Sequence, residues 1–187
     1  MIMNYAEIKK MDIANWPWLR TSLFVSWCKH RCPFCFNAKA WNFDYWKEFT
    51  DETMNELINE INKDYCEWLT ILWWEPLVYE NQEQVAKIIQ EVRKRTTKPI
   101  WLYSWFTYEV ITWYMYNNEK FKYIRDIINN IDVLIDWRFI NDLKDLALQF
   151  RWSRNQRILD VQKSLLKWKA TWLEWVKDKR KYVKRSF

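Results

Sequence analysis

No glycine occurs among the 187 residues of this chain, whereas tryptophan occurs 16 times. At the usual frequency of ~7% a chain of this length holds roughly 13 glycines, and a complete absence by chance is on the order of one in a million. Glycine takes positive φ at no steric cost and lets backbones approach closely, so its absence constrains every tight turn. Several tryptophans stand where a turn asks for that freedom: Asn15-Trp16-Pro17-Trp18, Ser26-Trp27-Cys28, Trp73-Trp74-Glu75-Pro76, Ser104-Trp105, Asp136-Trp137-Arg138 and Arg151-Trp152-Ser153. Trp41, Trp101, Trp172 and Trp175 lie instead among aromatic or apolar neighbours, where tryptophan is at home. The pattern is that of a sequence in which tryptophan has replaced glycine throughout.

Half of the residues are hydrophobic and 29% are charged, the balance of a one-domain globular protein and not of a disordered chain. No run of 18 uncharged apolar residues is present, and the start, Met1-Ile2-Met3-Asn4-Tyr5-Ala6-Glu7, lacks the basic-then-apolar order of a signal peptide. The expectation is a cytoplasmic protein with no membrane contact. Of the net charge of +6, most belongs to residues 177–187, which hold six basic side chains and one acidic. A basic end of this kind is usually a solvated terminus, so nucleic acid is not the expected partner.

Along the chain, apolar strands alternate with amphipathic helices. Arg20 to Ser26 is β-branched and aromatic enough for a strand that runs directly into a cysteine-rich loop. Thr50-Asp51-Glu52-Thr53, followed by Met54, Leu57, Ile58 and Ile61, predicts a capped helix. Leu69–Leu72, Pro99–Ser104 and Ile131–Asp136 read as buried strands, separated by helices over Asn81–Arg95 and Tyr123–Asn130. Such alternation argues for parallel βα units. Leu148–Arg151 and Arg157–Val161 read as short strands, and Leu165–Val183 as a basic amphipathic segment.

Three of the four cysteines are crowded in Cys28-Lys29-His30-Arg31-Cys32-Pro33-Phe34-Cys35, while Cys66 is remote and reads as an ordinary buried thiol. Spacings of three and two bring three thiolates around one small volume, as metal or cluster ligation requires. Two centres meet that description. A structural zinc takes four ligands, and His30, the only histidine, completes a Cys₃His set for a zinc-binding interaction module. A four-iron cubane held by three cysteines keeps one iron open for another ligand.

C-x₃-C-x-Φ-C with Phe34 at Φ, placed after a first strand, resembles the signature of radical S-adenosylmethionine (SAM) enzymes. The segments Asn15–Arg20, Leu23–Cys28, Cys35–Asn37, Thr70–Pro76, Val133–Phe139 and Phe150–Gln156 are similar to the activating-protein family of anaerobic ribonucleoside-triphosphate reductase, with glycine read for Trp16, Trp18, Trp27, Trp73, Trp74, Trp137 and Trp152. The similarity runs over residues 3–163, about the whole family length. It implies an α/β fold, a partial (β/α) barrel of radical SAM type with a parallel sheet and flanking helices. It also implies an activase domain at 1–163 followed by a basic C-terminal extension at 164–187.

The resemblance further implies that Cys28, Cys32 and Cys35 hold a [4Fe-4S] cluster whose fourth iron binds SAM. Reductive cleavage of SAM would then generate the glycyl radical of the reductase. Phe34, Cys35 and Phe36 would line the adenine side of SAM. Trp73 and Trp74 stand at the glycines of the family's Gly-Gly-Glu-Pro, with Trp74 at the methionine end. Glu75 would orient the SAM ammonium, and Ser104 is a further SAM candidate. The implied partners are the large subunit of the reductase and a reduced flavodoxin-like electron donor.

Tryptophan at a positive-φ position costs about 1–2 kcal/mol in backbone strain, and an indole forced into a packed space adds ~1–3 kcal/mol. Total stabilities are only ~5–15 kcal/mol, so the chain as written is expected to fold poorly and to be inactive.

Overall fold

A computed structural model describes residues 4–14, 18–26, 46–73, 75–177 and 182–183. Its centre is a seven-stranded mixed sheet in the order β3-β1-β2-β4-β5-β6-β7. The strands are β1 (Asn4–Asp12), β2 (Arg20–Val25), β3 (Lys47–Glu48), β4 (Leu69–Leu72), β5 (Ile100–Tyr103), β6 (Val133–Asp136) and β7 (Arg157–Asp160). The helices are α1 (Asp51–Ile61), α2 (Tyr79–Arg95), α3 (Ile124–Asn129) and α4 (Val161–Lys167), with a π-helical turn at Val110–Tyr114. The architecture is α/β with an open sheet.

Strands β2, β4, β5 and β6 pair in parallel and are buried along their whole length. Burial on both faces explains why they read as continuous apolar runs. Alternate side chains serve two different cores. Leu23, Leu69, Ile71, Ile100, Leu102 and Leu134 face a core closed by α1, α2 and α3 through Leu57, Ile61, Val85, Ile89, Val92 and Ile127. Phe24, Leu72, Trp101, Tyr103, Val133 and Ile135 face the other way, under Phe150, Trp152, Trp172, Leu173 and Val176.

The sheet departs from the all-parallel expectation at both edges, because β1 and β7 run antiparallel to their neighbours. A short return through residues 137–156 has no helix long enough for a parallel crossover, so β7 comes back antiparallel. β1 was hidden in the sequence because most of its residues are exposed or half-buried and two are lysines. It pairs on both sides: Tyr5 lies opposite Val25 of β2 and opposite Lys47 of β3, and Asn4 lies opposite Glu48.

Two other expectations are corrected. Leu148–Arg151 forms bends and not a strand, and Phe150 sits there with φ 54° and its ring in the second core. The expected segment Leu165–Val183 is not one amphipathic element. Helix α4 begins at Val161 under an Asp160 cap and ends at Trp168, after which residues 169–177 lie along the sheet, with Trp172 bridged to Leu159 and Val176 buried. Among the described residues no helix is long and apolar enough to cross a membrane.

Positive φ is found at Trp73 (64°), Trp137 (81°) and Trp168 (49°). These are left-handed positions that favour glycine. Trp73 and Trp137 were among the turns where glycine was expected, and Trp168 was not. Trp18, Trp105 and Trp152 do not have positive φ. Trp101 is buried and stacks on Trp68 at 5.1 Å, as its apolar context requires.

Candidate active site at the carboxyl ends of the parallel strands

The four parallel strands end on one edge of the sheet, at Val25, Leu72, Tyr103 and Asp136. In open α/β sheets this edge is where ligands bind. The residues that follow are Ser26, Trp73 to Glu75, Ser104 and Trp137. The cysteine-bearing segment leaves β2 immediately after Ser26, and the chain resumes in the described structure at Trp46, beside β3. Cys28, His30, Cys32, Phe34, Cys35, Phe36 and Trp74 all lie outside the described residues.

Glu75 is fully buried, although a charged carboxylate is rarely placed so. Its Oε1 accepts from the Leu77 N–H at 3.0 Å and the Ser104 hydroxyl at 2.9 Å, and its Oε2 accepts from the Trp105 N–H at 2.6 Å. Burial pushes its pKa up to about 7, against the pull of those three bonds. Ser104 is also buried, and its hydroxyl accepts from the Phe106 N–H at 3.1 Å. The structure therefore brings Glu75 and Ser104 together, but with both side chains turned into the protein and spent on each other and on main-chain N–H groups.

Asn81, in the first turn of α2, is the residue that sequence reasoning missed. Its Nδ2 donates to the Ser26 carbonyl at 2.8 Å and to the Glu75 carbonyl at 3.1 Å. Two carbonyl acceptors fix which end of the amide is nitrogen. A signal was present: the apolar stripe Val85, Ile88 and Val92, continued one turn back, lands on position 81 and marks it as inward-facing.

At the end of β6, buried Asp136 accepts from the Tyr108 N–H at 2.9 Å and from Arg157 Nε at 3.0 Å, and pairs with Arg157 Nη2. Arg157 also grips Glu109 through both oxygens, at 2.9 and 2.7 Å. Burial raises the Asp136 pKa, opposed by Arg157. This ion group ties β7 to the loop after β5, and it packs against the ring of Trp137.

Trp73 leaves the end of β4 with φ 64° and is 38% exposed, its ring edge-on to Phe24 at 4.6 Å. An indole therefore occupies the strand end at one of the positions where the resemblance implies glycine. A cavity of about 460 Å³ lies at the opposite edge of the sheet, lined by Trp18, Trp68, Trp101, Val133, Leu173 and Trp175, away from these groups.

The described residues define an α/β protein with a buried polar network at the carboxyl ends of its parallel strands, and in the sequence three closely spaced cysteines follow the first of those ends. The family described as a 4Fe-4S single cluster domain matches residues 15–159. Proteins named anaerobic ribonucleoside-triphosphate reductase-activating protein are similar over most of the chain. That of Enterobacteria phage T4 is 34% identical over 157 residues, 83% of this chain and 93% of its own. That of Escherichia coli K12 is 32% identical, covering 82% of this chain and 96% of its own, and that of Haemophilus influenzae 33%, covering 83% and 97%. This chain belongs to that family of reductase-activating proteins, with an iron–sulfur cluster domain.

Proposed function

We propose that the function encoded in this chain, and expressed once glycine stands at the tryptophan-substituted turns, is activation of anaerobic ribonucleoside-triphosphate reductase by radical SAM chemistry, in the cytoplasm, with the reductase large subunit as partner and a reduced flavodoxin-like protein as electron donor. The observation that carries the reading is the set Cys28, Cys32 and Cys35, which follows directly on the carboxyl end of β2 in a chain whose relatives are named as activators of that reductase. The donor set fits a four-iron cluster with one open iron. Cys28, Cys32 and Cys35 would hold such a cluster, which when bound and reduced would supply one electron to break the sulfonium C–S bond of SAM into methionine and a 5′-deoxyadenosyl radical able to take a hydrogen atom from a glycine of the partner.

The open sheet serves in this reading as the partial (β/α) barrel of a radical SAM domain spanning residues 1–163, with 164–187 as an extension. Cys28, Cys32 and Cys35 hold the cluster, and Phe34 and Phe36 flank the adenine. Trp73, Trp74 and Glu75 are assigned to the methionine end. Glu75 and Ser104 serve SAM from within, by fixing that main chain through the bonds to Trp105 and Leu77.

Tryptophan at 73 and 74, where the resemblance expects glycine, would fill the approach that glycine leaves open, and tryptophan at 27 would stand next to the first cysteine in sequence, so the chain as written is expected not to turn over SAM. Low-temperature EPR of the anaerobically reconstituted, dithionite-reduced protein tests this. The expected result is a cubane signal indifferent to SAM in the chain itself. A signal that shifts with SAM, together with 5′-deoxyadenosine formation, is expected after Trp27→Gly, Trp73→Gly and Trp74→Gly are combined. No cubane signal in either protein, with one tightly bound zinc by metal analysis, overturns the activase reading.

A further inference from the structure

We infer that Asn81 is a positioning residue for the cluster: it fixes the start of the cysteine-bearing segment against the SAM-side end of β4. The inference rests on the activase reading and adds a residue to it. Ser26 stands two positions before Cys28, and Glu75 follows Trp73-Trp74. No strand ladder joins these two points, since the β2–β4 register ends at Phe24 opposite Leu72. Beyond that pair the chains diverge, one into the cysteine segment and the other toward α2.

The Asn81 amide bridges the divergence, one N–H to each carbonyl. It is buried with no exposed area, so water does not replace the bonds when the amide is removed. Glu75 extends the bridge to the next strand: its carboxylate takes the Ser104 hydroxyl and the Trp105 N–H. Three successive parallel strand ends, at Ser26, Glu75 and Ser104, are therefore held in one hydrogen-bonded chain in which the Asn81 side chain of α2 supplies the link to the end of β2. The opposite side of Ser26 is tied separately, its N–H donating to the Asn4 carbonyl at 3.0 Å. Ser26 is thus pinned from two directions, and a ligand two residues further along inherits that placement. Partners outside the coordination sphere orient ligands in this way at many metal centres.

Gln82 provides a matched control. It is the next residue of the same turn, also buried, and its amide makes two comparable bonds, to the Lys120 carbonyl at 2.8 Å and from the Tyr123 N–H at 3.3 Å. Those bonds reach the 118–123 segment and not the strand ends. A merely structural role would make Asn81→Ala and Gln82→Ala alike.

The test compares the full chain with Asn81→Ala, Asn81→Ser and Gln82→Ala after anaerobic reconstitution. Iron and sulfide content, the EPR spectrum of the reduced protein and the rate of iron loss to the chelator bathophenanthroline are read beside the thermal unfolding midpoint. The expected result is iron loss on the order of tenfold faster in Asn81→Ala, with an altered EPR line shape. Asn81→Ser, which keeps one donor, is expected to fall between it and the parent. Gln82→Ala is expected to lower the midpoint at least as far and leave both cluster readouts unchanged. Cluster readouts of both Asn81 variants equal to the parent, or matched by Gln82→Ala, overturn the inference while leaving the activase reading intact. A parent chain and its Trp27→Gly, Trp73→Gly, Trp74→Gly form that both take up no four-iron cluster and bind one zinc overturn the activase reading itself, and report this before any variant is compared.

Discussion

Trp168 ends α4 with φ 49° and ψ 34°, donating to the Leu165 carbonyl while the next N–H, of Lys169, reaches back to Ser164 at 3.1 Å. That is the glycine-terminated helix end in all but the residue. Its indole is 74% exposed, so little burial offsets the strain. Trp168→Gly is therefore expected to raise stability by about 1 kcal/mol, seen as a higher urea midpoint with unchanged slope. Trp101→Gly, which empties the stack on Trp68, is expected to lower stability by roughly 3–5 kcal/mol in the same assay. The two tryptophans could be told apart in the sequence only by neighbours: Trp101 lies in an apolar strand, whereas Trp168 follows an ambiguous Lys-rich stretch and was not recognised as a turn.

Glu75 carries the pH dependence that belongs to a single residue. Its pKa is raised from 4.5 to about 7 by burial. Between those values the folded state keeps a proton that the unfolded chain has lost, so this carboxyl's contribution to stability falls as pH rises through the window and is level outside it. The difference in unfolding free energy between the parent and Glu75→Gln should shrink by roughly 3 kcal/mol between pH 4.5 and 7. Urea titrations at intervals across that range measure it, and a flat difference would contradict the raised value. The resemblance identified Glu75 and Ser104 as residues of interest. Their burial could not be read from the chain, because nothing in Trp-Trp-Glu-Pro says that the carboxylate turns inward.

At the scale of elements, helix α1 shows why local patterns succeeded. Thr50 has extended backbone angles and its hydroxyl accepts from the Thr53 N–H at 3.3 Å, while Asp51 and Glu52 lie in the first turn and Leu57, Ile58 and Ile61 face the core. Every one of those signals is contained in twelve consecutive residues. Thr50→Ala is expected to cost about 1 kcal/mol, measured as a lowered thermal midpoint. Helix α2 was equally legible in its body but starts two residues earlier than expected, since Tyr79 and Glu80 precede the first inward residue. The π-turn at Val110–Tyr114 left no mark in the sequence: Val110, Trp113 and Tyr114 are exposed apolar residues whose spacing fits no buried face. The strand expected over Arg157–Val161 is found at Arg157–Asp160, with Val161 opening α4, but its direction depends on Asp136 and Arg157 meeting across 21 positions, which periodicity does not encode.

For the whole molecule, the alternation of strands and helices was enough to expect an α/β sheet, and its four central strands are parallel as expected. The edges were not legible. β1 looks solvated because it is, and it is held by its partners and not by its own apolar content. The pairing of β1 with both β2 and β3 has a further consequence for the roughly twenty residues between them. Their two ends already meet, at Tyr5, which lies opposite both Val25 and Lys47. Bringing together the ends of any chain of that length costs about 2.7 kcal/mol in chain entropy. Here the sheet meets that cost through β1, so on the proposed cluster assignment to Cys28, Cys32 and Cys35 the affinity for iron is spared the loss.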